Sequence, residues 1–179
     1  MDDKKQRIGR KCVKMNLLQT SRLYLRNFMY ADAVTLFDYR NDSRCNRYQR
    51  YDDTSIAYLQ KFVQDFSHCT FLSREEEQHY AVISNASCDM IGDISVFFSE
   101  ADNCFTLGIT IAPAFQKQGY AYEILKEVTE QLQTAYPSID LVALIEKNNA
   151  ASISLFKKLN FIEECYADSI QSYVFTLTH

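Results

Sequence analysis

Leu107-Gly108-Ile109-Thr110-Ile111-Ala112-Pro113-Ala114-Phe115-Gln116-Lys117-Gln118-Gly119-Tyr120-Ala121 is the stretch on which the architecture turns. Apolar and small residues run as a strand through Ile111, and Pro113 interrupts it. From about Gln118 the period becomes that of a helix, with Ala121, Ile124, Leu125, Val128 and Leu132 on one face until Pro137. A helix start leaves its first amides without carbonyl partners and carries the positive end of the macrodipole, so it attracts an anion. Gly119 and Ala121 keep the approach to that backbone open, and Lys117 adds a cation beside it. A diphosphate fits such a turn, although a helix start with one glycine equally suits an ordinary one.

Outward from this stretch the pattern alternates between strands and helices. Downstream, 141–145 is a continuous apolar strand, and a helix follows with Ser152, Leu155, Phe156 and Leu159 on one side. Strands near 161–166 and 170–177 close the chain. Upstream, 79–84, 90–99 and 104–111 are apolar or alternating runs separated by Asn, Asp and Ser clusters, which describes an antiparallel meander. Before them, 17–26 reads as one strand and 31–39 as a helix burying Val34, Leu36 and Phe37. A second helix is capped by Thr54, with Ile56, Leu59, Phe62, Val63 and Phe66 at helical spacing. The passage from the 104–111 strand through a helix to the 141–145 strand requires a right-handed crossover, so these two strands are parallel neighbours. The expectation is an α+β fold: a mixed, mostly antiparallel twisted sheet of about seven strands containing one parallel pair, flanked by about four helices.

Composition bounds the function. At 179 residues, 47% hydrophobic and 23% charged, the chain supports one globular core. The net charge of -4 speaks against nucleic-acid binding, and it is uneven. Residues 1–14 hold six basic side chains against two acidic ones, leaving -8 for the remainder. We therefore expect a basic, flexible extension over 1–14 and a single domain over 15–179. No apolar run approaches the roughly 20 residues of a membrane span and no secretory core follows the charged start, which points to a cytoplasmic protein. The six cysteines are scattered singly without a His cluster, so neither a metal site nor a disulfide framework is indicated and free thiols are expected. Exposed edge strands leave monomer and homodimer both open.

A second segment sharpens the reading. Asn149-Ala150-Ala151-Ser152-Ile153-Ser154-Leu155-Phe156-Lys157-Lys158-Leu159-Asn160-Phe161 follows the parallel strand directly. Gln116-x-x-Gly119-x-Ala121 and this segment together resemble the two acetyl-CoA motifs of the GNAT superfamily. Thr20-Ser21-Arg22-Leu23-Tyr24-Leu25-Arg26, Arg40-Asn41-Asp42 with Arg47-Tyr48, and Met90-Ile91-Gly92-Asp93-Ile94 resemble its RimJ/RimL branch, which acetylates ribosomal-protein N-termini.

The resemblance implies acetyl-CoA as donor and an amine as acceptor, a protein N-terminus among the candidates. It implies a bulge on the 104–111 strand and a splayed parallel pair, with pantetheine entering as a pseudo-strand along Ile109, Thr110 and Ile111. Gln116, Lys117, Gln118, Gly119, Tyr120 and Ala121 would wrap the diphosphate, while Asn149, Ser152 and Phe156 would flank the pantetheine. The Ile109 amide becomes the candidate oxyanion donor. Phe156 stands where many relatives carry a proton-donating Tyr, so Ser152 is the candidate donor to the leaving sulfur. Asn160 replaces a Gly at the helix end, a mild change because Asn tolerates the left-handed conformation. Placement in the family fold puts Asn46, Arg47, Tyr48, Tyr166 and Tyr173 at the acceptor cleft. No general base stands out: Thr106 and Thr110 are not competent, and Glu146 and His79 would act only through water. The rival reading is a coenzyme-binding sensor without catalysis.

Overall fold

The computed structural model describes residues 16–178. The expected extension over 1–14 lies outside the described residues. The decisive stretch forms strand β5 (Cys104–Ile111), a single 3-10 turn at Pro113–Phe115, and helix α4 (Tyr120–Ala135). Before it come β1 (Leu18–Gln19), β2 (Leu23–Arg26), α1 (Asp32–Arg40), α2 (Ser43–Asn46), α3 (Ile56–Asp65), β3 (Gln78–Ser84) and β4 (Met90–Ser99). After it come β6 (Asp140–Glu146), α5 (Ala150–Lys158), β7 (Ile162–Ala167) and β8 (Ser172–Leu177). All strands join one sheet in the order β1-β2-β3-β4-β5-β6-β8-β7, antiparallel except for β5 and β6. The fold is the expected mixed sheet, with eight strands and five α-helices among the described residues.

The two extra elements have local causes. Residues 17–26 do not make one strand, because the Thr20 amide donates to the Leu23 carbonyl (2.8 Å) and the Leu23 amide to Thr20 Oγ1 (3.1 Å), folding the segment into a hairpin. The additional helix, α2, is one turn long and is started by Asp42, whose carboxylate accepts from the Arg44 amide. The cap of α3 is Ser55 rather than Thr54: the Ser55 side chain accepts from the Tyr58 amide, whereas Thr54 Oγ1 donates to Asn41 Oδ1. Helix α1 is rotated relative to expectation. It buries Asp32, Ala33, Leu36, Tyr39 and Arg40, leaving Val34 58% and Phe37 39% exposed. This phase is set by two ion pairs, Arg26 with Asp32 and Arg40 with Asp93, which turn polar side chains of α1 toward the sheet.

Two hydrophobic layers sandwich the sheet. Beneath α4 and α5 the fully buried Ile124, Leu125, Val128 and Leu132 pack on Val96, Phe105, Leu141 and Phe175. Beneath α1 and α3 the smaller cluster contains Leu36, Tyr39, Leu59, Val63, Ala81 and Ile83. Buried free thiols are found at Cys45, Cys69 and Cys104, and Cys165 is an exposed one, whereas Cys88 is disulfide-bonded and departs from the free-thiol expectation. Among the described residues no helix is long and apolar enough to cross a membrane.

Candidate active site

The β5–β6 ladder pairs Cys104 with Asp140, Phe105 with Leu141 and Thr106 with Val142, and then stops. β6 stays paired to β8 along its length, so the two parallel strands diverge from Leu107 onward. The expected bulge is not the cause. The β4–β5 ladder runs from Ser99–Cys104 to Gly92–Ile111 without a register shift, and the irregularities lie between Val82 and Ile83 and between Glu163 and Cys165. The opening therefore arises because β6 turns away from an unbroken β5.

Backbone direction on β5 follows from one bond. The Ala112 amide donates to the Ile91 carbonyl at 2.8 Å, toward β4. Peptide groups alternate sides along a strand, so the amides of Ile109 and Ile111 face the gap left by β6. The Ile111 carbonyl is already engaged by Gln116 Nε2 (2.8 Å) and by the Cys45 thiol (3.5 Å). Gln116 thus braces the strand end with its side chain, and burial pushes the Cys45 thiol up to about 11, leaving it protonated and inert.

The turn into α4 is built from two left-handed residues, Lys117 (φ 60°) and Gly119 (φ 80°), the latter being the N-cap. This moves the helix start from Gln118 to Tyr120, since a left-handed residue cannot belong to the right-handed helix. The first main-chain bond into the helix runs from the Glu123 amide to the Gly119 carbonyl (3.1 Å). Among the described residues the amides of Gly119, Tyr120, Ala121 and Tyr122 have no acceptor. They form a cradle of open donors that could hold an anion, and Lys117, exposed, stands in the same turn.

Two clefts meet on β5. One, of about 400 Å³, lies between the open edge of β5 and the starts of α4 and α5, and includes Ile109, Ile111, Gly119, Ala121, Asn149 and Ser152. The other, of about 410 Å³, lies toward α1 and α3, and includes Arg40, Tyr51, Tyr58, His79, Asp93 and Thr110. Gln49, Ile109 and Thr110 border both.

The sequence candidates distribute unevenly over this geometry. Asn149 caps α5 by accepting from the Ser152 amide (3.2 Å), which leaves the Ser152 hydroxyl without a partner among the described residues. Gln118 Nε2 donates back to the Ala114 carbonyl (3.1 Å). Phe156 is 3% exposed, lies edge-on to Phe161, and borders neither cleft. Tyr48 borders the first cleft, whereas Asn46 and Arg47 are exposed and border neither. Tyr166 and Tyr173 pack on each other across the β7–β8 hairpin, 5.1 Å between rings, also outside both clefts. Glu146 accepts from the amide and side chain of Asn148 and is occupied in shaping that loop.

The second cleft contains residues that sequence reading did not assign to it. Arg40 pairs with Asp93 (3.1 Å) between the rings of Tyr51 and Phe62, while Tyr39 donates to the other Asp93 oxygen. Burial, followed by the Asp93 charge, pushes Tyr51 up to about 12, so its phenol stays protonated at neutral pH, 3.4 Å from Thr110 Oγ1. Arg40 and Asp93 both lie within the quoted family segments, and that was the available signal.

Glu123 ties the cradle to the β1–β2 turn. Burial works to raise its carboxyl, but is outweighed by hydrogen bonds from Thr20, the Arg22 amide, the Arg22 guanidinium and Ser21, which bring it down to about 2. A depressed carboxyl contributes stability above its ordinary value of 4.5 and loses it as pH falls toward 2. Acid denaturation followed by circular dichroism should therefore show a Glu123-dependent loss within that window, and Glu123→Gln should flatten the profile there.

A model of the acetyltransferase (GNAT) domain matches residues 22–162, and the chain belongs to this family. It is an acetyltransferase, with acetyl-CoA as its donor. No curated protein sequence matches the chain. Among solved structures, a GNAT-family acetyltransferase from Bacillus anthracis aligns with TM-score 0.74 at 16% identity, over 90% of this chain and 97% of that one. The ribosomal-protein-S5-alanine acetyltransferase from Vibrio fischeri aligns with TM-score 0.68 at 13% identity, over 90% and 95%. The microcin C7 self-immunity acetyltransferase MccE, in complex with acetyl-CoA and AMP, aligns with TM-score 0.74 at 12% identity, over 89% and 94%. At such identities the likeness is one of fold.

Proposed function

We propose that this protein transfers the acetyl group of acetyl-CoA to a primary amine by direct attack, with donor and acceptor held at once. The observation that carries the reading is the meeting of the two clefts at Ile109 and Thr110, one offering free main-chain donors and the other an acid-rich cavity. Acetyl-CoA, when bound, supplies an acyl group already activated as a thioester. The amides from Gly119 to Tyr122, with Lys117 and the backbone of Gln116 and Gln118, hold its diphosphate. The main chain of Ile109, Thr110 and Ile111 lies along one side of the pantetheine and Asn149 and Ser152 along the other, with Phe156 supporting α5 from the core.

The Ile109 amide donates to the carbonyl oxygen as negative charge develops there. The Ser152 hydroxyl gives its proton to the departing sulfur and recovers one from water. The acceptor loses its proton to water in the second cleft. Ser152→Ala is expected to lower kcat by about 10² while leaving the KM for acetyl-CoA unchanged. An unaltered kcat removes Ser152 from the chemistry.

The acceptor class we favour is a protein N-terminal amine. Asp52, Asp53, Asp65 and Glu77 outnumber Arg50 and Lys61 around the second cleft, which suits a cationic acceptor. The resemblance to ribosomal-protein acetyltransferases and a cytoplasmic setting agree with it. Arg50 Nη2 donates to the Ile170 carbonyl at 2.6 Å and draws the segment after α2 toward the β7–β8 turn. Asn46, Arg47, Tyr48, Tyr166 and Tyr173 form, in this reading, the outer rim along which a peptide extends, and residues 15–179 act as a single domain. The test follows free thiol released from acetyl-CoA with peptides, polyamines and aminoglycosides, and identifies products by mass spectrometry. Peptides are expected to give the highest kcat/KM. Coenzyme binding without release under every amine would instead establish a sensor.

A further inference from the structure

The Thr20-Ser21-Arg22 turn is far in sequence from the diphosphate cradle, yet its side chains converge on it. Arg22 Nε donates to Glu123 Oε2 at 2.6 Å, and Arg22 Nη1 donates to the Gln118 carbonyl at 3.0 Å. The guanidinium lies 4.5 Å over the Tyr120 ring, and its Nη2 is 3.5 Å from where a Cβ on Gly119 would stand. Glu123 Oε1 in turn accepts from Thr20 Oγ1 (2.6 Å), Ser21 Oγ (3.0 Å) and the Arg22 amide (2.8 Å). One arginine is therefore gripped by a carboxylate on α4 and aimed at one peptide group of the cradle.

That peptide group decides what the grip does. The Gln118 carbonyl and the Gly119 amide belong to the same planar trans unit and point in opposite directions. Holding the carbonyl toward Arg22 holds the Gly119 amide away from it, and Gly119 borders the first cleft. Gly119 has a left-handed conformation with no Cβ, and glycine flanks permit peptide rotation more readily than other residues. Among the described residues the Arg22 bond is the one hydrogen bond made to this peptide group.

We propose that Arg22, locked by Glu123, is a positioning residue that presets the Gly119 amide for the coenzyme diphosphate. The proposal rests on the diphosphate lying at the start of α4, as in the reading above. Arg22 does not touch the reacting atoms: it acts on affinity for one half of the donor molecule, and only through the backbone.

The experiment compares acetyl-CoA with S-acetylpantetheine, which carries the same thioester arm and no diphosphate, in wild type, Arg22→Met and Glu123→Gln. Methionine keeps apolar packing on Tyr120 but cannot donate to Gln118. Wild type is expected to prefer acetyl-CoA strongly by KM. Arg22→Met should raise the KM for acetyl-CoA about tenfold, the scale of one charge-assisted hydrogen bond, with kcat for both donors and KM for S-acetylpantetheine unchanged. Glu123→Gln, which retains an acceptor for Arg22, should lie between the two. An equal rise in KM for both donors, or no rise, overturns the role of Arg22, and the melting temperature separates either from misfolding. No preference for acetyl-CoA in wild type would instead overturn the placement of the diphosphate.

Discussion

Ala121→Glu is expected to abolish measurable acetyl-CoA binding while leaving the fold intact. Ala121 is the second residue of α4, among amides that have no acceptor and beside the exposed Lys117. An acidic side chain in the first turn of a helix is favourable to the helix itself, because it meets the positive end of the dipole. The melting temperature should therefore hold or rise slightly. A carboxylate at this position would sit against the coenzyme diphosphate, and like charges forced together at an interface cost several kcal/mol, a loss of about 10² to 10³ in affinity. Isothermal titration with coenzyme A decides it. Retained affinity would mean that the anion binds elsewhere.

Asp93→Ala should be among the most destabilising single changes available in this chain. Arg40 is 4% exposed and Asp93 6%, and the aspartate accepts from both Arg40 Nη2 and the Tyr39 phenol. Burial, reinforced by the Asp93 charge, raises Tyr39 well above its ordinary value, so the phenol remains a donor. Removing the carboxylate strands a guanidinium and a phenol in the interior, which costs about 3–5 kcal/mol. That is a large part of the ~5–15 kcal/mol holding a typical domain together. Urea unfolding should show a lower midpoint at unchanged slope. The double variant Arg40→Met with Asp93→Leu, which removes both charges, should recover much of the loss. If it does not, the pair contributes more than mutual neutralisation.

The long, strongly periodic elements were legible in the chain. Helix α4 carries its apolar side chains at helical spacing and stops before Pro137, and β3, β4 and β5 are bounded by turn residues, so local chemistry and tertiary demand agree. Short or polar-faced elements were harder to read. The phase of α1 was missed because hydrophobicity ranks Val34 and Phe37 above Asp32 and Arg40, whereas the fold buries the charged residues against partners on β2 and β4. The hairpin at Thr20 was missed because Leu23 and Leu25 alternate as a continuous strand would. Its turn is closed locally by Thr20 with Leu23 and is held from α4 by Glu123, about a hundred residues away. The same distance hid Arg22, whose importance lies in which carbonyl it reaches.

Within the candidate site the division is similar. Gly119, Ala121 and Lys117 stood out by residue type, since open amides and small side chains are local properties, whereas Asn149 entered only through the family resemblance and caps α5 in the structure. Arg40, Tyr51 and Asp93 could not be placed at the second cleft, because charge and aromaticity say nothing about which wall a side chain joins. Phe156 was drawn toward the coenzyme by motif position, while the structure packs it on Phe161.

The order of the longer strands and helices, the parallel crossover and the open amides at the start of α4 were determined by the amino-acid sequence alone, because periodicity, proline, glycine and unpaired amides act over a few residues. The divergence of β6 from an unbulged β5, the burial of Arg40 with Asp93 and the grip of Glu123 on Arg22 were decided only by tertiary structure. Each depends on groups separated by tens of residues whose encounter is dictated by packing, and no local pattern encodes which of several chemically equivalent partners will be met.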